Sequence, residues 1–162
     1  MRTLANDHAG VRVTDMERSI RFYTEVFGAE AVTRPFLMRS EFVDSMFEGP
    51  PGIGFRLCHL RFAGGMIELF EFQSPHDHPA APAHAAHGNV THLGFEVDDV
   101  EATVQRILAG GGRLIFPVTA WGEYRLCYTA DPDGNVIEIA DAPLSVLVEA
   151  TKAAFPDSDP AA

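Results

Sequence analysis

Two stretches of this chain repeat one design, and that repetition constrains the fold more than any other feature. Residues 7–23 read DHAGVRVTDMERSIRFY: a histidine opens a short alternating run, Thr14-Asp15 turns the chain, and an amphipathic segment follows. Residues 91–104 read THLGFEVDDVEATV, again a histidine on an alternating run, then acidic residues, then a helical pattern. A period of two marks a half-buried strand and a period near 3.6 marks a helix. Each copy therefore predicts a strand that feeds a helix.

In the first copy Asp15 is placed to cap the helix, its carboxylate accepting from a free amide of the first turn. Glu17 adds negative charge where the helix dipole favours it. Met16, Ile20, Tyr23 and Phe27 share one apolar face, joined by Phe22 and Val26, and Gly28 ends the helix as a left-handed cap. A second strand is predicted over 29–39, with Pro35 placing it near a sheet edge. Residues 41–55 form a longer connection carrying Phe42, Met46, Phe47 and Ile53. It suits a lid or dimer contact and, equally, packing on its own strand ends. Residues 57–62 and 66–72 make a hairpin about Ala63-Gly64-Gly65, with Glu68 in the middle of the returning strand.

Residues 73–89 are rich in Pro, Ala and His and read as an interdomain linker. Their histidines, His76, His78, His84 and His87, have no strand or helix to fix a metal geometry. The second copy predicts a strand over 90–97, then a helix capped by Asp98 or Asp99 and running through Val100, Val104, Ile107 and Leu108. Glycines 110–112 stop it. Strands follow over 113–118 and 124–129, separated by a turn at 119–123. DPDGN at 131–135 is a hairpin turn, and 136–140 is the last strand, with Glu138 at its centre. Residues 144–155 predict a terminal helix that docks or dimerises, and 156–162 a disordered tail. The expected organisation is a first βαβββ module over 1–72, the linker over 73–89, a second βαβββ module over 90–142 and a C-terminal segment over 143–162.

The modules match element by element, so His8 corresponds to His92 and Glu68 to Glu138. A lone strand histidine is usually an ordinary core or surface residue. A central strand glutamate can pair with an arginine, and Arg12, Arg61 or Arg125 could serve. Those explanations must hold at four repeat-equivalent positions at once. If the modules pair about a pseudo-twofold axis, two imidazoles and two carboxylates converge. That donor set suits a divalent ion of the Zn, Ni, Co, Mn or Fe group. A cation would also compensate two carboxylates set in apolar strands, which are costly when unpaired. His59 has no histidine counterpart in the second copy and reads as ordinary.

The net charge of −11 excludes a nucleic-acid partner, which needs clustered Lys and Arg, and disfavours an anionic membrane surface. No apolar run has the length to span a bilayer, and no secretory pattern opens the chain. Cys58 and Cys127 fall in apolar strand-like runs and read as reduced, buried thiols, which points to the cytoplasm.

HAGVRVTDMERSIRFYTEVFGAE, MIELFEF, THLGFEVDDVEATV and YTADPDGNVIEIAD are similar to the signature segments of the vicinal oxygen chelate superfamily. That group includes glyoxalase I, methylmalonyl-CoA epimerase, extradiol dioxygenases, fosfomycin-resistance proteins and bleomycin-binding proteins. The resemblance runs from His8 to about Asp141. It implies an α+β fold of two paired βαβββ modules, a cupped eight-stranded mixed sheet around a metal. It carries the metal-ligand role onto His8, Glu68, His92 and Glu138. Glyoxalase I resembles this chain in its His, Glu, His, Glu set and in an arginine at Arg12. Its glutathione-contacting asparagine falls at Phe72, and its Gly-rich segment before the DPDG turn is replaced by WGEYRLCY. Where methylmalonyl-CoA epimerase has glutamine, this chain has Glu68. The fosfomycin-resistance proteins have threonine at Gly10, while Tyr128 matches one of their substrate-contacting residues.

The expectation is a metal-dependent isomerase, epimerase or lyase of the glyoxalase type. It would abstract a proton next to a carbonyl of a small chelated substrate, through an enediolate. Glu138 and Glu68 are the expected bases, and Arg12 and Tyr128 the substrate contacts. The alternatives are an Fe(II)-dependent extradiol-type dioxygenase using His8, His92 and Glu138, and a protein that binds a small antibiotic or toxin. The expected partners are a small-molecule substrate and a second copy of the chain in a homodimer.

Overall fold

The structure is a computed structural model and describes residues 6–46, 52–74 and 92–155. The chain divides into two compact units, Met1–Ala81 and Pro82–Ala162.

In the first unit β1 (His8–Arg12) leads into α1 (Met16–Phe27), followed by β2 (Glu30–Ala31), β3 (Phe36–Arg39), the short helix α2 (Glu41–Met46), β4 (Gly54–Phe62) and β5 (Gly65–Ser74). The sheet order is β1-β5-β4-β2, and β3 also pairs with β4. β1 runs parallel to β5 and the other pairs are antiparallel.

The start of α1 follows from its sequence. Asp15 accepts a hydrogen bond from the Arg18 amide at 2.9 Å, and Gly28 takes the left-handed conformation, φ 68°, that closes the helix. One face of α1 buries Met16, Phe22, Tyr23 and Val26, and the sheet buries Val11, Val13, Cys58, Leu60, Ile67 and Leu69. Each of the larger side chains contributes about 1.5–3 kcal/mol by leaving water. The opposite sheet face carries Met66, Glu68 and Phe70 of β5 with their β4 partners Arg61, His59 and Leu57. That face holds the candidate chemistry.

The second unit repeats the plan: β6 (Leu93–Glu96), α3 (Val100–Ala109), β7 (Arg113–Trp121), β8 (Tyr124–Ala130), β9 (Val136–Ala140) and α4 (Leu144–Ala154). Its sheet order is β6-β9-β8-β7, with β6 parallel to β9. Asp99 caps α3, accepting from the Ala102 amide at 2.8 Å. Val100, Val104 and Ile107 of α3 are buried, as are Cys127, Ile137 and Ile139 of the sheet. The DPDGN turn is built on buried Asp131, which accepts from the amides of Asp133 and Asn135.

Several sequence expectations are corrected. The single strand over 29–39 is two short strands, because Pro35 lacks the amide to continue the ladder. The connection after residue 40 contains α2, and its Val43 is buried in a cluster with Phe55 and Leu57, so this part packs on the sheet. Phe47 lies outside the described residues. The turn expected at 119–123 shrinks to Gly122 and Glu123, with Gly122 at φ 65°, and β7 runs on to Trp121. α3 does stop at the expected glycines, with Gly111 left-handed at φ 87°. β6 begins at Leu93, so His92 stands just before the strand. β5 runs to Ser74, while the rest of the expected linker, with its four histidines, and the tail from 156 lie outside the described residues. Among the described residues no helix is long and apolar enough to cross a membrane.

Candidate functional site

Each unit gathers a carboxylate, a histidine and a third polar side chain by strand register. In the first, Glu68 of β5 lies between Gly10 of β1 and His59 of β4. His8 precedes Gly10 by two residues, so the pleat returns its side chain to the same face. Its Nε2 lies 3.5 Å from Glu68 Oε2. His59 Nε2 lies 3.2 Å from the other oxygen, Oε1. In the second unit Glu138 of β9 lies between Gly94 of β6 and Tyr128 of β8. His92 Nε2 lies 2.8 Å from Glu138 Oε2, and the His92 and Tyr128 rings meet edge to face at 5.4 Å.

The electrostatics follow from these contacts. A hydrogen bond to Asp7, and then the charge of Glu68, raise the His8 pKa above its ordinary value. Burial pushes the Tyr128 phenol up, and the charge of Glu138 and the hydrogen bond to it add to the rise. The Glu68 and Glu138 side chains are partly buried, 23% and 19% exposed, and so remain reachable.

The donor chemistry fits a divalent cation. Two donors each about 2.1 Å from one ion stand about 3.0 Å apart at a right angle and about 3.4 Å apart at a tetrahedral angle. The His8–Glu68 and His92–Glu138 spacings fall close to that range. Without an ion the same spacing serves as an imidazole–carboxylate contact. Among the described residues no group of three or more His, Cys, Asp and Glu side chains is arranged to hold a metal ion. The donors are pairs, one in each unit.

Arg12 ends β1 on the face that carries His8, in register with Phe70. A match by residue identity misses His59, which has no histidine counterpart in the second copy. The equivalent position holds Tyr128, and both stand directly across from the glutamate. Counting back from the Ala63-Gly64 turn pairs 62 with 65 and therefore 59 with 68, so the hairpin itself carried the signal.

The sequence profile of the Glyoxalase/Bleomycin resistance protein/Dioxygenase superfamily matches residues 6–139, and the chain belongs to that superfamily. A probable lactoylglutathione lyase of Vibrio parahaemolyticus is 30% identical over 135 residues, covering 82% of this chain and 86% of that protein. The mitochondrial methylmalonyl-CoA epimerase of Dictyostelium discoideum is 26% identical over 118 residues, 73% of this chain and 64% of that one. The chain spans only 48% of the lactoylglutathione lyase of Schizosaccharomyces pombe and 35% of a probable chloroplastic one of Arabidopsis thaliana. Among solved structures, a glyoxalase family protein from Bacillus cereus superposes with a TM-score of 0.74 at 23% identity, over 86% of this chain and 95% of that one. The fosfomycin resistance protein FosX of Listeria monocytogenes, complexed with Mn(II) and sulfate, gives 0.55 at 19%, over 91% and 99%. These neighbours bear out the α+β glyoxalase fold.

Proposed function

We propose that this protein is a metal-dependent isomerase, epimerase or lyase acting on a small oxygenated substrate. Each unit offers one imidazole–carboxylate pair to a divalent ion, His8 with Glu68 in the first and His92 with Glu138 in the second. The observation that carries this reading is the imidazole–carboxylate pair repeated at register-equivalent positions in both units. The Listeria neighbour is complexed with Mn(II), which is in keeping with a divalent ion as cofactor.

A divalent ion bound there supplies Lewis-acid polarisation of a carbonyl oxygen. Glu138 takes the proton from the carbon next to that carbonyl, and Glu68 is the candidate to return one. Arg12 pairs with a substrate carboxylate, and the Tyr128 hydroxyl holds a substrate oxygen. Phe72 packs with Phe55 and Phe70 in an apolar patch, which offers no amide to a peptide thiol such as glutathione. This favours a small oxygenated substrate over a glutathione adduct.

Two free, buried cysteines support a reducing compartment, proposed here as the cytoplasm. Exposed Leu114, Ile115, Phe116 and Trp121 on β7 support a homodimer, which sedimentation equilibrium tests.

The deciding experiment is divalent-metal content and affinity of the wild type with His92→Ala as control. It is followed by solvent deuterium incorporation into α-carbons across a panel of 2-oxo and 2-hydroxy acids. Wild-type protein without divalent-metal affinity, or metal-loaded protein that exchanges no α-proton, would overturn the reading.

A further inference from the structure

We propose that His59 is a positioning residue for Glu68, locking one carboxylate oxygen so that the other is presented to His8. The hydrogen-bond network assigns its tautomer. The backbone amide of His59 donates to Thr33 Oγ1 at 3.1 Å. Thr33 accepts there and can give its own hydroxyl hydrogen to His59 Nδ1, also at 3.1 Å, while the Glu68 carboxylate, which only accepts, calls for a hydrogen on Nε2. With Nδ1 an acceptor, a neutral ring carries its hydrogen on Nε2. That hydrogen points to Glu68 Oε1 at 3.2 Å.

The ring has little freedom to turn away. It stacks on Phe36 with centroids 6.0 Å apart and planes 21° from parallel. Its backbone carbonyl is tied by the Val32 amide at 2.9 Å. Glu68 Oε2 is then directed to His8 Nε2, 3.5 Å away. Thr33, His59 and Glu68 form a relay of orientation that reaches from the β2–β3 connection to the carboxylate. The second unit uses another donor at the same register position, the Tyr128 hydroxyl on Glu138. Partners that orient a ligand in this way typically change metal affinity 10–100-fold when removed, by general experience.

The role in metal binding rests on the function proposed above, whereas the orientation of Glu68 does not, and the test separates them. In metal-free, 15N-labelled protein at pH 8, long-range proton–nitrogen spectra should show His59 as the Nε2–H tautomer. Thr33→Val should release it to an average of both forms. A Nδ1–H ring in the wild type overturns the proposal, and a tautomer indifferent to Thr33→Val overturns the relay through Thr33. In the second arm Co(II) affinity and the Co(II) visible spectrum are measured. His59→Ala should weaken binding about 10–100-fold, and His59→Gln, which keeps a donor, should recover most of it. Equal affinity of His59→Ala and wild type overturns the metal role. Wild type that binds no Co(II) would sink the metal reading, while the tautomer still decides whether His59 positions Glu68.

Discussion

Gly10 lies in register with Glu68, and the absence of a side chain at Gly10 lets the Phe70 ring lie beside it: a Cβ there would stand 3.2 Å from Phe70 Cε2. At the repeat-equivalent Gly94 no described atom lies within 4 Å of an added Cβ. Gly10→Ala should therefore cost about 1 kcal/mol by crowding Phe70. Gly94→Ala should be neutral or stabilising by about 0.5 kcal/mol through the unfolded chain. Gly112→Ala sets the upper limit. Its Cβ would meet the Ala130 carbonyl oxygen at 2.5 Å, and a loss of about 3 kcal/mol is expected. Urea denaturation of the three variants ranks them.

Both units tie the first turn of their helix to a central strand. Arg56 bridges Glu17 and Glu71, while Arg125 pairs with Glu101. The surroundings differ: the Glu71 side chain is 15% exposed, whereas Arg125 and Glu101 are 56% and 51% exposed. Glu71 also accepts from the Met16 amide at 3.3 Å. Arg56→Met should cost about 1–3 kcal/mol, because it strands a partly buried carboxylate. Arg125→Met should cost less than about 1 kcal/mol. Equal losses in thermal melts would refute the distinction.

Cys58 and Cys127 are fully buried and free. Burial raises both thiols, and with the charge of Glu101 it pushes Cys127 from 9.0 to about 11. Between those pH values the unfolded chain releases a proton that the native protein retains. Stability is thus present below pH 9 and falls as the pH rises toward about 11. Cys127→Ser should show a shallower alkaline decline, measured as urea midpoint against pH. Both native thiols should resist alkylation at pH 8.

The apolar patch at Phe72 predicts substrate choice. Turnover of the glutathione–methylglyoxal adduct should stay near background in the metal-loaded protein, while α-proton exchange on small acids is measurable by NMR. Rapid formation of the glutathione thioester would reverse that preference.

Much of this architecture was legible because short-range chemistry writes it. Asp15, Asp99 and Gly28 cap their helices as their side chains require. The DPDGN turn and the Ala63-Gly64 hairpin set the registers that put Glu68 and Glu138 at the centre of their strands. The failures have physical reasons too. α2 spans six residues, too few for a period to show. The split at Pro35 and the length of β7 depend on ladder partners supplied by distant residues. His59 escapes any match by residue identity, because the two sheets share the position and place an imidazole in one and a phenol in the other.

That last substitution reaches beyond the strand pair. A phenol offers its neighbour one hydroxyl, whereas an imidazole has a second nitrogen that can take instructions from elsewhere in the chain. On the relay proposed above, Thr33 links the β2–β3 connection to Glu68, and the hydroxyl of Tyr128 provides no such second nitrogen beside Glu138. His59→Tyr would keep a hydroxyl for Glu68 and cut that channel.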